Sequence, residues 1–239
     1  MSEPPTSTPT APSRLRRIRR SPITHLVVAF VILALVQLFF VKPFQVPSES
    51  MSPTLETGDR MLANRIALTL SPPHEGDIVV FSRPDTWESS ADPSPLRVAI
   101  GWVGDLVGFG PSNLDALVKR VIGEPGTTVQ CCSAEGAVTV DGVPLDESYV
   151  VNDLPYTPGV LDCTTVPTSS RCFGPIVVPD DSYLVMGDNR ANSADSVYGC
   201  RGLATGATCA RFVPREKMLG TVFAIIWPLD RAFSSLDGR

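Results

Sequence analysis

The chain has 239 residues, of which 25 are acidic and 20 are Lys or Arg, and its formal net charge is -5. This length allows one large domain, or one domain and a membrane anchor, and the excess of acidic residues argues against a nucleic acid as a partner. Apolar residues make up 43% of the chain but are unevenly placed, because one long apolar stretch precedes a region of short runs.

The N-terminal region has the pattern of a membrane anchor. Residues 1–22 contain five arginines among Ser, Thr and Pro, and residues 23–42 carry no acidic or basic residue except His25 before the final Lys42. An apolar helix of about 20 residues spans a bilayer, and basic flanking residues stay on the cytoplasmic side. We therefore predict a disordered cytoplasmic tail at 1–22, one transmembrane helix at 23–42 and an extracytoplasmic domain at 43–239. A buried helix and a cleaved export signal are the competing interpretations, and no small-residue cleavage site follows the apolar stretch.

From residue 43 the chain consists of short β-type runs separated by Gly and Pro, which predicts a mainly β domain. The turn signal Asp141-Gly142 follows one of these runs. We predict a smaller inserted lobe at 131–177, stapled by a disulfide. Residues 96–109 are strongly apolar and are either an insertion that rests on lipid or part of the core. The β-type runs are 76–81, 127–131, 137–140, 176–178, 183–186 and 221–227.

All six cysteines lie in the predicted external domain, where an even number is typical of disulfides. Sequence proximity favours Cys163 with Cys172 and Cys200 with Cys209. The other two, which are adjacent, would then be free or joined in a small ring, so other pairings are credible. Zinc is the alternative, but no C-x-x-C spacing occurs and His74 is the only external histidine, so we predict no metal. The six are Cys131, Cys132, Cys163, Cys172, Cys200 and Cys209.

The scarcity of bases directs attention to one lysine. The two histidines are His25, in the predicted membrane helix, and His74, in a Pro-Pro-His-Glu-Gly turn. Strand alternation places Lys119 on one face with Leu117 and Val121. If this face is the core, burial lowers the lysine pKa and leaves a neutral amine that can take a proton from a serine. On an edge strand the same lysine would be an ordinary solvated residue.

Four separated blocks resemble the bacterial type I signal peptidases, which are membrane-bound Ser-Lys proteases that remove signal peptides from exported proteins. One block alone is weak, but four in order behind an apolar N-terminal segment are specific. The resemblance implies a signal-peptidase-like, β-rich catalytic ectodomain with a smaller inserted lobe after one transmembrane helix. It also implies acyl-enzyme chemistry without a cofactor. The blocks are SESMSPTL at 48–55, GDIVVF at 76–81, KRVIGEPG at 119–126 and GDNRANSADS at 187–196.

Position by position, the resemblance implies roles for five residues. Ser50 corresponds to the nucleophile and Lys119 to the general base. Ser48 corresponds to the hydroxyl that forms the oxyanion hole with the Ser50 amide. Ser193 corresponds to the hydroxyl that orients the lysine, and Asp195 to a supporting acidic residue. Taken singly, the serines and Asp195 are also ordinary loop and turn residues.

The last block departs from the family pattern. A basic residue is expected where this chain has Val197, and its absence puts a salt bridge to Asp195 in doubt. Arg190 and Arg201 are both candidates to replace that charge. The family pattern also ends in an aromatic residue followed by glycine, where this chain has Gly199-Cys200.

Substrate binding and location follow from the same resemblance. Preference for small residues before the scissile bond requires shallow apolar pockets, for which Met51, Ile78 and Phe81 are candidates. Ser50 follows Val41 by nine residues, and about 3.5 Å per residue keeps the serine near the outer leaflet. The predicted partners are exported preproteins and membrane lipid, and the predicted location is the bacterial cell membrane. The alternatives are a Ser-Lys protease dedicated to one precursor and a non-enzymatic anchored β module that binds other proteins.

Overall fold

The computed structural model describes residues 21–87, 115–203 and 208–236. The apolar stretch at 96–109 and all but the last two residues of the predicted tail at 1–22 lie outside these ranges. The described part of the chain is mainly β, as the sequence predicts. Its helices are α1 (Pro22–Phe39) and α2 (Ala67–Leu70). Its strands are β1 (Val41–Gln45), β2 (Arg60–Asn64), β3 (Ile78–Ser82), β4 (Ala116–Gly123), β5 (Thr128–Cys131), β6 (Val138–Val140), β7 (Val143–Pro144), β8 (Phe173–Val177), β9 (Ser182–Met186), β10 (Val213–Pro214) and β11 (Met218–Trp227).

The strands form two antiparallel sheets. The larger sheet has the order β1-β2-β11-β3-β4-β9-β10, and the smaller has the order β7-β6-β5-β8. A tight turn connects them, in which Pro125 precedes Gly126 at a φ of +83° and Thr127 N–H donates to the Glu124 carbonyl. Glycine favours this turn because its backbone adopts a positive φ without a steric penalty. Three strands of the smaller sheet, β6, β7 and β8, lie within the predicted lobe at 131–177, whose status as a separate unit stays a prediction.

Strand β4 runs through the middle of the larger sheet. It pairs with β3 on one side, where Lys119 lies opposite Val79, and with β9 on the other, where Arg120 lies opposite Met186. Every residue of β4 from Val118 onward is buried. A lysine in this position is enclosed by packed strands on both sides, and an edge-strand location for Lys119 is therefore wrong.

Apolar side chains from both sheets form the core. One cluster joins Met51 and Leu55 to strands of the larger sheet. A second packs Ile122 and Leu184 of the larger sheet against Phe173 of the smaller one. Burial of each such side chain contributes about 1.5–3 kcal/mol, so the second cluster holds the two sheets together.

The N-terminal apolar segment forms α1, whose 18 residues end just before β1. Within the part of the chain that the structure describes, no helix combines the length and the apolar character that a membrane crossing requires. The transmembrane helix at 23–42 therefore stays a prediction.

The cysteines are joined in three pairs of near neighbours. Cys163 is bonded to Cys172, and Cys200 is bonded to Cys209. The two remaining cysteines, adjacent in sequence, are bonded to each other. The first two pairs are those that sequence proximity favours, and the third is the small-ring form of the adjacent pair.

Candidate active site

Ser50 lies in a short 3-10 turn, Glu49–Met51, that follows the first strand of the larger sheet. Met51 and Leu55 are fully buried, and the Leu55 N–H donates to the Met51 carbonyl, so the turn is anchored in the core. Ser50 itself is only 7% exposed. The proline-flanked serine segment is therefore a packed element that fixes the direction of the Ser50 side chain.

The structure brings Lys119 directly to Ser50. The Lys119 Nζ donates to Ser50 Oγ at 2.5 Å and to the Val118 carbonyl at 3.1 Å. Lys119 is 4% exposed. A serine hydroxyl held against a desolvated amine has the geometry needed for proton transfer from oxygen to nitrogen.

Burial controls the protonation of this amine. It lowers the pKa of Lys119 to about 8 from an ordinary value of 10.5, because the ammonium form loses its hydration. The negative charges of Asp195 and Asp188 oppose this shift, while Arg83 adds to it. With this pKa, about a tenth of the lysine is neutral at pH 7, against well under a thousandth for an ordinary lysine.

Ser48 lies beside the candidate nucleophile. Its hydroxyl donates to Ser50 Oγ at 3.3 Å, and its backbone is extended at the start of the 3-10 turn. The first N–H groups of such a turn have no intrahelical acceptor, which leaves the Ser50 amide available to a ligand. A hydroxyl and an amide at this place can both donate to one oxygen of a bound carbonyl group.

Ser193 is buried close to the same site without a partner of its own. Its Oγ is inaccessible to solvent and forms no hydrogen bond within the described part of the chain. A Cβ at Gly187 would overlap both Ser193 Oγ and the Ser50 carbonyl oxygen. The absence of a side chain at Gly187 therefore allows these two groups to approach each other. The predicted contact between Ser193 and Lys119 is not formed.

Asp195 is fully buried and receives its positive partner from outside the motif. Arg201 Nη2 lies 3.1 Å from Asp195 Oδ2, and the Gly187 and Val197 amides each donate to the carboxylate at 3.3 Å. A 3-10 turn, Tyr198–Cys200, returns the chain so that Arg201 reaches the carboxylate. Of the two candidates for the missing charge, Arg201 contacts Asp195.

The other candidate arginine has a different partner. Arg190 forms an ion pair with Glu147, and its Nε donates to the Gly187 carbonyl at 3.1 Å. Arg190 therefore links Glu147, within the predicted lobe at 131–177, to the loop that carries Ser193.

Two contacts that the sequence reasoning missed hold the serine turn in place. The Asn189 amide donates to the Ser50 carbonyl at 3.1 Å, and its side-chain Nδ2 donates to the Glu49 carbonyl at 3.1 Å. The available signal was the Gly-Asp-Asn sequence, which indicates a turn but not what the turn binds.

A buried ion pair lies in the same region. Arg120 contacts both oxygens of Asp188, at 2.9 and 2.7 Å, and Thr54 Oγ1 donates to Asp188 at 2.6 Å. Both charged residues lie within the blocks that resemble the signal peptidases, but 68 residues separate them. Their pairing depends on how β4 and β9 lie side by side, which no local pattern reveals.

The three candidate pocket residues are divided between two clusters. Met51 and Ile78 are buried in the same cluster, whereas Phe81 packs edge-on against Trp87 at 5.5 Å in another. All three side chains are buried. The structure thus brings Met51 and Ile78 together but not Phe81, and the assignment of a substrate pocket stays a prediction.

Comparison with known proteins identifies relatives of this chain. The family model described as "Signal peptidase, peptidase S26" matches residues 19–227. Signal peptidase I of Mycobacterium tuberculosis is 38% identical over 214 residues, covering 86% of this chain and 71% of that protein. The probable signal peptidase I-2 of Synechocystis sp. is 35% identical over 205 residues, covering 85% and 72%.

A solved structure of a signal peptidase I from Enterococcus faecalis V583 was also found. It is 24% identical to this chain, with a TM-score of 0.34, and the match covers 64% of this chain and 98% of that one. This TM-score is too low to assign a fold, so the assignment depends on the family model and the sequence relatives. By those two comparisons, the chain belongs to the signal peptidase family, peptidase S26.

Proposed function

We propose that this chain is a serine endopeptidase that cleaves signal peptides from exported preproteins, with Ser50 as nucleophile and Lys119 as general base. Membership of the signal peptidase family supports the reaction, and the relatives named signal peptidase I support its substrate class. The single observation that carries the residue assignment is the 2.5 Å hydrogen bond between Lys119 Nζ and Ser50 Oγ in a buried setting.

Acylation begins with the neutral form of Lys119. Its lone pair takes the Ser50 proton while Ser50 Oγ attacks the scissile carbonyl carbon. The resulting oxyanion accepts hydrogen bonds from the Ser50 amide and from Ser48 Oγ, which turns away from Ser50 Oγ to reach it. One such donor is typically worth about 3 kcal/mol of barrier. Collapse of the intermediate expels the amine, which takes the proton back from the Lys119 ammonium group.

Deacylation uses the same amine a second time. Once the leaving peptide has departed, Lys119 is neutral again and accepts a proton from a water molecule that attacks the ester. The second tetrahedral intermediate uses the same two donors, and Ser50 regains its proton from Lys119. No step requires a metal or cofactor.

Asp195 and Arg201 act on this cycle through charge. The Asp195 carboxylate favours the charged form of Lys119, and Arg201 partly cancels that effect. We propose that this pair sets how much of the lysine is neutral at a given pH, while Ser193 offers an unpartnered hydroxyl that can hold the lysine in one orientation during turnover.

We further propose that residues 23–42 anchor the enzyme in the cell membrane with the N-terminus in the cytoplasm. This is supported by the absence of Asp, Glu, Lys and Arg from 23–41, by the five arginines that precede the segment, and by the exposed apolar side chains of α1. Among these, Leu26 is 71% exposed. Membrane lipid is then a partner, and Ser50 works at the depth where a membrane-held signal peptide ends.

The function is tested by cleavage of an exported preprotein. The full chain in detergent is incubated with the preprotein, and the N-terminus of the product is sequenced. We expect one cut after a small residue at the signal junction, and loss of the cut in Ser50→Ala and in Lys119→Ala. Lys217→Ala is the matched control, because this lysine lies in a surface 3-10 turn, Arg215–Lys217, and should leave the rate unchanged.

Three outcomes would contradict the proposal in different ways. Full activity of Lys119→Ala would remove the lysine from the role of base. Cleavage of only one preprotein in a broad panel would favour a protease dedicated to a single precursor. The non-enzymatic binding module would require that Ser50→Ala have no effect on function.

A further inference from the structure

Four of the six cysteines line one surface pocket. The pocket has a volume of about 300 Å³, and its lining includes Cys131, Cys132, Cys163 and Cys172. Neither Ser50 nor Lys119 contributes to its lining. A concave site of this size matches a small molecule rather than a peptide segment or a protein.

The sulfur atoms of two disulfides meet in this pocket. Cys131 is bonded to Cys132, and Cys163 is bonded to Cys172. The Sγ atoms of Cys132, Cys163 and Cys172 all lie within 4.8 Å of one another. Rotation of one side chain about its χ1 bond can bring a free thiolate at one of these positions onto a sulfur of the other disulfide. Thiol-disulfide exchange proceeds by such an attack.

Exposure differs among the four cysteine residues and sets an order of attack. Cys163 is exposed, Cys132 is half-buried, and Cys172 and Cys131 are buried. A thiolate arriving from solvent therefore reaches Cys163 first. The leaving group would be Cys172, which would be released inside the pocket next to Cys132.

We propose that Cys163 is a site at which a low-molecular-weight thiol becomes attached, and that the displaced Cys172 passes the exchange to the Cys131–Cys132 disulfide. The site is separate from the candidate active site and does not depend on the proposed protease function.

The first step forms one sulfur-sulfur bond and breaks another. The external thiolate attacks Cys163 Sγ, a mixed disulfide forms there, and the electron pair of the broken bond goes to Cys172 Sγ. In the second step the Cys172 thiolate attacks Cys132 Sγ, and the pair goes to Cys131 Sγ, which takes a proton from water. One external thiol is consumed, one protein thiol appears, and two disulfides exist before and after, so no oxidant or reductant is needed.

The structure also provides for the product at Cys131. The Cys131 Sγ is buried and lies 3.9 Å from the Gly136 carbonyl oxygen, which can accept a hydrogen bond from the new thiol. The third disulfide serves as an internal reference. Cys200 is fully buried, its bond to Cys209 closes a separate loop, and neither residue lines the pocket.

The test maps the thiols of the folded protein. The full chain in detergent, as the Ser50→Ala variant, is incubated with reduced glutathione at pH 8, quenched with N-ethylmaleimide in acid and digested for mass spectrometry. We expect glutathione on Cys163, N-ethylmaleimide on Cys131 and a peptide that links Cys132 to Cys172. Glutathione on Cys163 should exceed that on Cys200 and Cys209 by at least about tenfold.

A double variant separates the two steps. In Cys131→Ser with Cys132→Ser, glutathione should still attach to Cys163, while N-ethylmaleimide should move to Cys172 and the linked peptide should disappear. The mapping of the Ser50→Ala protein with all six cysteines stands by itself if the double variant does not fold. Glutathione on Cys132 with the Cys163–Cys172 bond intact, equal labelling of the Cys200–Cys209 pair, or no labelling of the pocket would each overturn the proposal. Because Ser50→Ala lacks the nucleophile, these results are independent of whether the chain is a protease.

Discussion

Lys119 Nζ lies 2.5 Å from Ser50 Oγ, although 69 residues separate the two in sequence. Both side chains are more than nine-tenths buried. Burial disfavours the charged amine, and the same low-dielectric surroundings strengthen the hydrogen bond by which Lys119 Nζ holds Ser50 Oγ. One physical cause, exclusion of water from the middle of a sheet, thus prepares both members of the pair.

The pKa of Lys119 predicts the pH dependence of cleavage. Because the base must be neutral and its pKa is about 8, kcat/KM should rise about tenfold per pH unit below pH 8 and level off above it. The measurement is kcat/KM for a preprotein between about pH 4 and 10. A rate that stays constant down to about pH 4 would point to a carboxylate base instead.

The same pKa predicts how Lys119 affects stability. Its folded value of about 8 is below the ordinary 10.5, so the unfolded chain binds more protons between these values and stability rises with pH across that window. Below pH 8 the cost of burying the charge is fully present, and above 10.5 it is gone. Lys119→Met should therefore stabilise the fold by roughly 3 kcal/mol at pH 7 and by much less at pH 10.

Denaturant unfolding of both proteins in detergent at several pH values measures this difference. Lys217→Met is the control, because its surface position should give no pH-dependent gain. A constant difference between Lys119→Met and the parent from pH 7 to 10 would contradict the lowered pKa.

Local patterns in the sequence say more about Lys119 than about the pocket. Strand alternation and the scarcity of histidine mark Lys119 as a candidate base, but only the resemblance to the signal peptidases pairs it with Ser50. The pocket candidates Ile78 and Phe81 are three positions apart on β3, so the same alternation sends their side chains to opposite faces. Naming both residues as candidates for one pocket treats the strand as if it had a single face, whereas the fold places them in different clusters.

The contacts that no local pattern predicted are those between distant loops. Asn189 binds the Glu49 carbonyl across 140 residues, and a turn signal does not say which backbone it will meet. The sequence offers both Arg190 and Arg201 as the positive partner of Asp195. The choice between them depends on the 3-10 turn that returns the chain so that Arg201 reaches the carboxylate. Such pairings are set by tertiary packing.

Replacement of Asn189 should lower activity although Asn189 takes no part in the reaction itself. Asn189→Ala removes the hydrogen bond to the Glu49 carbonyl, so the serine turn is less firmly placed. We expect kcat to fall about tenfold with KM little changed, and stability to fall by about 1–3 kcal/mol. Asn152→Ala is the matched control, since it removes a hydrogen bond to Asn189 Oδ1 but leaves the bond from Nδ2 to the Glu49 carbonyl. Equal rates for Asn189→Ala and the parent would show that the turn is held by its other contacts.

Replacement of Gly187 should lower stability and activity through steric overlap alone. Gly187→Ala places a methyl group against Ser193 Oγ and the Ser50 carbonyl oxygen, so the two loops must separate. We expect a loss of about 1–3 kcal/mol in stability and a fall in kcat of about 100-fold. Gly58→Ala strains a backbone at a φ of +97° but meets no atom within 4 Å, so it should affect stability alone. Normal kcat in Gly187→Ala would mean that Ser50 does not need this close approach.

Arg201 predicts a shift of the pH profile. Arg201→Gln leaves the buried Asp195 carboxylate without its positive partner, and the uncompensated charge favours the ammonium form of Lys119. The acidic limb of kcat/KM should therefore move upward by about one pH unit, giving up to tenfold slower cleavage at pH 7 and a nearly normal rate at pH 9.5. Arg201→Lys should restore most of the profile because it restores the charge.

A purely structural role for Arg201 would give a different result. Breaking a buried ion pair costs about 3–5 kcal/mol, so unfolding alone could slow the reaction. Loss by unfolding lowers the rate equally at every pH where the fold is equally stable, whereas a raised lysine pKa slows cleavage only on the acidic side. Arg215→Gln, at an exposed arginine that binds the Leu68 carbonyl, provides the control. If folded Arg201→Gln has an unshifted acidic limb, the ion pair between Arg201 and Asp195 does not affect the pKa of Lys119. Burial would then be the main cause of that low pKa.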